Sequence, residues 1–113
     1  MSDRPPAPRP PQAFRDFVAR FPRLGQAWEA MREEGDAGPL DERTRRLVKL
    51  AVAVGAMREG ATHSAVRKCV AAGCAREEVE QVVALAASTI GLPSSVAAFT
   101  WVRDVFEPAP PAS

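Results

Sequence analysis

Between Leu40 and Phe106 the apolar residues recur at the three-and-four spacing of a helix, and nowhere do they alternate at the period of a strand over a useful length. Such a chain can bury its apolar surface only by packing helix on helix. Asp41 is a good N-cap for one helix, and Leu47, Leu50, Ala51 and Val54 follow it in the i, i+3, i+4, i+7 stripe that buries one face. Val48, Val52 and Met57 widen that stripe, so more than one side of this helix is expected to be covered. A further helix is expected from about Gly60 to Ala72, with Val66 and Val70 on its apolar face and Cys69 beside them. The next opens at Ala75, with Glu77 and Glu78 in its first turn, where negative charge suits the helix dipole. Ala75 itself is a poor cap.

That helix carries Val79, Val82, Val83, Leu85, Ala86 and Ile90, and is apolar nearly all round. A chain of 113 residues cannot easily bury so much alone, and subunit packing is expected to cover it. Gly91 and Pro93 break the chain; Ser94 or Ser95 is then placed to cap a last helix bearing Val96, Phe99, Val102 and Phe106. Upstream, Gln12 to Arg20 carries Phe14, Phe17 and Val18 at helical spacing and stops before Pro22. Arg23 to Glu34 carries Leu24, Ala27, Trp28 and Met31 and ends in the GDAGP loop. These two read as a hairpin leaning on the main core. Trp28 and Trp101 suit either that core or an interface. The fold class expected is therefore all-α with six helices. Residues 1–11, with five of the eleven prolines, read as a disordered arm, 12–107 as one helical domain and 108–113 as a disordered tail.

A hydrophobic content of 46% is enough for one globular core. Formal net charge is only +1, which gives no overall drive toward nucleic acid. Arg43, Arg45, Arg46 and Lys49 form a local basic run, but they alternate around a helix and read as a solvated face. No segment has the roughly 18 consecutive apolar residues of a membrane span, and MSDRPPAPRPPQ lacks the apolar stretch of a signal peptide. The expected location is the cytoplasm.

Cys69 and Cys74 are five apart, which matches neither a CxxC redox motif nor a zinc ligand set, and no metal or cofactor is expected. Gly73 sits where the left-handed residue after a helix belongs. Cys69 and Cys74 then fall on the two positions that touch as the apolar contact of a Schellman cap, so a packing role explains both. Contact distance is also bonding distance where geometry allows, which leaves a redox pair as the alternative.

The run LDERTRRLVKLAVAV, the helix ending AAGC, the REEV helix start and the IGLP turn together resemble the carboxymuconolactone decarboxylase family, the helical group that includes the alkylhydroperoxidase D proteins. The resemblance covers roughly two thirds of the chain and implies an alkylhydroperoxidase D-like helical domain forming a homo-oligomer, a trimer or a hexamer. Redox members of that family carry a CxxC pair, a following His and a Glu one helix earlier. In ungapped register the Cys positions fall on Arg58 and Ala61, the His on Ala65 and the Glu on Arg46, so all four relay groups are replaced. A branch without the Cys pair resembles EGAxHxH at this place; here Glu59 and His63 are kept and Ala65 replaces the last His.

Glu59 and His63 are four apart, so on a helix that includes both they lie one above the other. A carboxylate beside an imidazole fixes its tautomer and orients it for general acid–base work. On this reading His63 moves a proton on a small carbonyl or lactone substrate, Glu59 orients it, and Arg58 or Arg67 grips a substrate carboxylate by a bidentate contact. The blander reading makes Glu59 a helix-end residue and His63 a polar group on a partly buried face. Two other functions compete: a non-catalytic oligomeric binding or scaffold paralogue, and a peroxidase, which would need its thiol chemistry moved to Cys69 and Cys74.

Overall fold

In the computed structural model, which describes residues 10–110, the chain forms six helices: α1 Gln12–Arg20, α2 Pro22–Asp36, α3 Glu42–Gly55, α4 Glu59–Ala71, α5 Arg76–Ile90 and α6 Leu92–Phe106. Among the described residues there is no strand. The proposed arm and tail fall mostly on residues 1–9 and 111–113, which lie outside the described residues.

Helices α3 to α6 make the core. Helix α3 packs on α4 and α5, and α6 packs on the same two. Leu50 and Val54 from α3, Val66 and Cys69 from α4, Val79 from α5, and Ala98 and Val102 from α6 are fully buried in one cluster. Each buried valine or leucine there contributes about 1.5–3 kcal/mol relative to exposure. Trp101, Val105 and Phe106 close its edge. Arg43 of α3 pairs with Glu78 of α5, and Arg76 pairs with both Glu80 and Glu107 while its guanidinium lies 5.1 Å from the centre of the Phe106 ring.

The helix ends follow the local chemistry. The Asp41 carboxylate accepts from the Thr44 N–H at 2.8 Å, as its capping position requires. At Ala75 no side-chain oxygen is available, and the start of α5 is held from the other direction, by the Glu78 carboxylate accepting from the Ala75 N–H at 2.8 Å. Helix α4 ends in the expected Schellman motif: Gly73 has φ of +90°, its N–H reaches the Val70 carbonyl at 3.0 Å, and the Cys74 N–H reaches the Cys69 carbonyl at 2.9 Å.

One expectation is corrected and another narrowed. Neither Ser94 nor Ser95 caps α6, which begins earlier, at Leu92 with Gly91 (φ +87°) before it and Pro93 inside the first turn. Proline is tolerated there because that N–H has no helical partner, so Pro93 starts the helix instead of delaying it. The Ser95 hydroxyl donates back to the Gly91 carbonyl at 2.9 Å. The α1–α2 hairpin adds nothing to the buried core and meets it only loosely, through α2, where Asp36 pairs with Arg45 at 3.6 Å and Trp28 faces α3 and α4. Neither helix has a buried residue; they pack on each other through Phe14 and Trp28, whose rings meet edge to face at 6.0 Å, and at Gly25, where a Cβ would come within 3.0 Å of Val18.

Candidate functional site

A cavity of about 220 Å³ lies where α2, α3 and α4 converge. Its apolar walls are Trp28 from α2, Val52 and Ala53 from α3, and Ala61 and Ala65 from α4, with the Ser64 hydroxyl as a neutral polar group. Its charged groups are Arg46 and Lys49, one turn apart on α3, and Lys68 facing them from α4. The same three cations and Trp28 also border an adjoining depression of about 300 Å³, which reaches Arg32, Asp36 and Arg45.

Helix geometry explains the convergence. Ala61, Ser64, Ala65 and Lys68 are spaced three and four apart, so they form one face of α4, and the small residues there leave the space that the cavity occupies. Arg46, Lys49 and Ala53 do the same on α3. Of the residues lining these two depressions only Asp36 is a carboxylate, and Arg32 at 3.2 Å and Arg45 at 3.6 Å already hold it. Among the described residues Arg46, Lys49 and Lys68 form no ion pair; Arg43 and Lys49 are exposed, as a solvated face requires, and Arg46 is half-buried. Arg43 and Arg45 are engaged in pairs elsewhere, while Arg46 and Lys49 line a cavity. Burial, and after it the charges of Arg46, Lys49 and Arg32, depress the pKa of the half-buried Lys68 ammonium.

The residues singled out from sequence lie elsewhere on α4. Glu59, His63 and Arg67 follow one another four apart on a face about half a turn away from Ala61, Ala65 and Lys68, and Arg58 precedes the helix as its N-cap. None of the four lines the cavity. The His63 ring Nε2 lies 3.1 Å from the Asp104 carboxylate on α6. Glu59 is exposed in the first turn of α4, and among the described residues its side chain forms no hydrogen bond or ion pair. Asp104 therefore holds the ring in the place assigned to Glu59; it lies 41 residues from His63, so no local spacing announces it. Asp104 is itself largely exposed, and the pair sits at the surface where α4 meets α6.

Both cysteines are free, buried and in contact at the end of α4. Burial, followed by the neighbouring Cys74, pushes the Cys69 thiol up to about 12, and burial raises Cys74 as well. A helix C-terminus adds its own unfavourable potential to a thiolate, so the pair is suited to packing. No group of His, Cys, Asp and Glu able to hold a metal ion exists among the described residues.

The described residues thus form an all-helical domain with a small cavity between α2, α3 and α4, cationic on two sides and apolar behind. Residues 22–104 match the family model described as the carboxymuconolactone decarboxylase family, and the chain belongs to that family. Neither the curated proteins nor the solved structures contain a match. Three of the four positions that the resemblance assigns to the redox relay, Arg46, Ala61 and Ala65, line this cavity. Among the described residues no helix is long and apolar enough to cross a membrane.

Proposed function

We propose that this chain is a non-redox member of its family that binds a small organic anion in the α2–α3–α4 cavity. The observation that carries the reading is the set of three cations, Arg46, Lys49 and Lys68, which line an apolar-backed cavity and have no carboxylate partner among the described residues. Like charges converge in a partly desolvated place at a cost, and an anionic ligand relieves it through charge-assisted hydrogen bonds. Trp28 and the alanines accept the ligand's apolar body. A carboxylate is expected to bind here in preference to its neutral isostere, since an amide leaves the cations unpaired.

Tryptophan fluorescence titration with benzoate and with benzamide tests it. Saturable binding of benzoate that weakens with salt and is lost in Arg46→Gln is expected; equal binding of benzamide, or no effect of the substitution, overturns the reading.

A second reading, proton transfer on a small carbonyl or lactone substrate at His63, is favoured by one observation, the 3.1 Å contact with Asp104, which supplies the orienting carboxylate that such a histidine needs. In it Glu59 flanks the ring, and Arg58 or Arg67 holds a substrate carboxylate. Turnover of a small lactone falling by at least about 100-fold in both His63→Gln and Asp104→Asn is its expected signature. Unchanged turnover in His63→Gln excludes it. Peroxidase activity is disfavoured by the burial and raised pKa of both thiols.

A further inference from the structure

The sequence contains two lysines, Lys49 and Lys68, against thirteen arginines. Both lysines line the same cavity. Arginine stays protonated at any pH a protein survives, whereas a lysine can present a neutral amine. At the surface this chain uses arginine for its ion pairs: Arg32, Arg43, Arg45 and Arg76 all have carboxylate partners. Both amines thus stand where three cations converge beside apolar walls.

We propose that Lys68 is a nucleophilic amine that forms an imine with a short oxo carboxylate bound in this cavity, with Arg46 and Lys49 holding the carboxylate. The inference rests on the anion-binding reading above and adds a covalent step to it. Lys68 is half-buried among Trp28, Ala61 and Ala65, while Lys49 is exposed, so of the two Lys68 is the amine kept from water. The depressed pKa of its ammonium, caused by burial and by Arg46 and Lys49, increases the fraction present as free amine. The lone pair of Nζ attacks the carbonyl carbon, the carbonyl π pair goes to oxygen, one nitrogen proton passes to that oxygen, and a carbinolamine forms. Its hydroxyl then leaves as water, and the second nitrogen proton is lost to solvent or stays on an iminium. The balance is one amine and one carbonyl giving one imine and one water, with no oxidant or reductant. Arg46 is suited to hold the carboxylate because its planar fork matches two oxygens, and its fixed charge disfavours protonation of Lys68.

Reductive trapping tests the proposal in the full chain. The protein is incubated with 2-oxobutanoate or with butanone, reduced with borohydride, and mapped by peptide mass spectrometry. The expected result is a single adduct on Lys68 with 2-oxobutanoate, little with butanone, none at that site in Lys68→Arg, and at least tenfold less in Arg46→Gln. Labelling spread evenly over Lys49, Lys68 and the N-terminal amine, or equal labelling by butanone, overturns it. The ketone comparison uses only the parent protein, so it holds even where a variant fails to fold. Benzoate titration separates the two readings: benzoate binding without trapping refutes the imine and leaves the anion site, and the absence of both refutes both.

Discussion

Lys68 and Cys69 are neighbours in the chain with opposite fates, and the difference is one of direction. Lys68 projects from α4 into a cavity beside other cations, whereas Cys69 projects into the core with no exposed surface. Burial makes Cys69 a poor thiolate, with its pKa pushed up to about 12. The native state therefore keeps this proton while the unfolded thiol loses its own near pH ~8.5. The stability linked to Cys69 is full below that value and falls as pH rises through the window up to the folded pKa. Urea unfolding between pH 8 and 10 is expected to show a decline that is shallower in Cys69→Ala, and native Cys69 is expected to resist iodoacetamide at pH 8 while the unfolded chain reacts. A native thiol alkylated as fast as the unfolded one contradicts the assignment. The loss of the relay groups and the cap role of Cys69 and Cys74 are legible in the sequence because both rest on local register. The cationic cavity is not. On a helical wheel Arg43 to Lys49 looks like a wet face, and only the approach of Trp28 and α4 turns part of it into a wall. The abundance of arginine over lysine is a sequence signal that points toward the two unusual positions, though not to their meeting.

At the scale of elements, the six helices follow from the apolar period, and their ends show where local rules are strained. The end of α3 repeats the Schellman geometry of α4: the Met57 N–H reaches the Val54 carbonyl at 3.0 Å and the Arg58 N–H reaches the Ala53 carbonyl at 3.1 Å. Here the left-handed position is held by Met57, with φ of +55°, where α4 has glycine. A side chain in that region costs roughly 1–2 kcal/mol, part of which glycine's larger unfolded-state entropy cancels. Met57→Gly is thus expected to stabilise the chain by about 0.5–1 kcal/mol. A raised midpoint in chemical denaturation checks it, and a lowered one shows that the partly exposed Met57 side chain contributes packing that outweighs the strain. The cap also sets the direction in which α4 leaves the turn, and with it the position of Ala61, Ala65 and Lys68. The start of α6 departs from the expected serine cap for a related reason: serine is the stronger cap by preference, but the backbone of Gly91 and the fixed φ of Pro93 begin the helix before it.

For the whole molecule, the balance of apolar surface argues for assembly. Val52 on α3, Leu85 on α5, and Leu92 and Val96 at the start of α6 are each more than half exposed, and Leu24 and Met31 on the hairpin are equally wet. Leu85 and Val48 border a groove between α3 and α5 of about 310 Å³, floored by Leu47, Ala51 and Val82. This is the surface that the nearly all-round apolar pattern of α5 leads one to expect. A hairpin with no buried residue of its own also gains most from a neighbour, since its aromatic face is otherwise paired only with itself. Exposed apolar side chains in this number on a small domain suit contacts between chains, and closed cyclic symmetry is the usual way to cover them. Light scattering at micromolar concentration is expected to give three or six times the 12.1 kDa chain mass. Leu85→Asp places a charge in the α3–α5 groove, where a neighbouring chain would have to bury it unpaired, so the assembly is expected to weaken while helical content is kept. A parent protein that stays at 12.1 kDa contradicts the assignment, and so does a Leu85→Asp variant that assembles as the parent does.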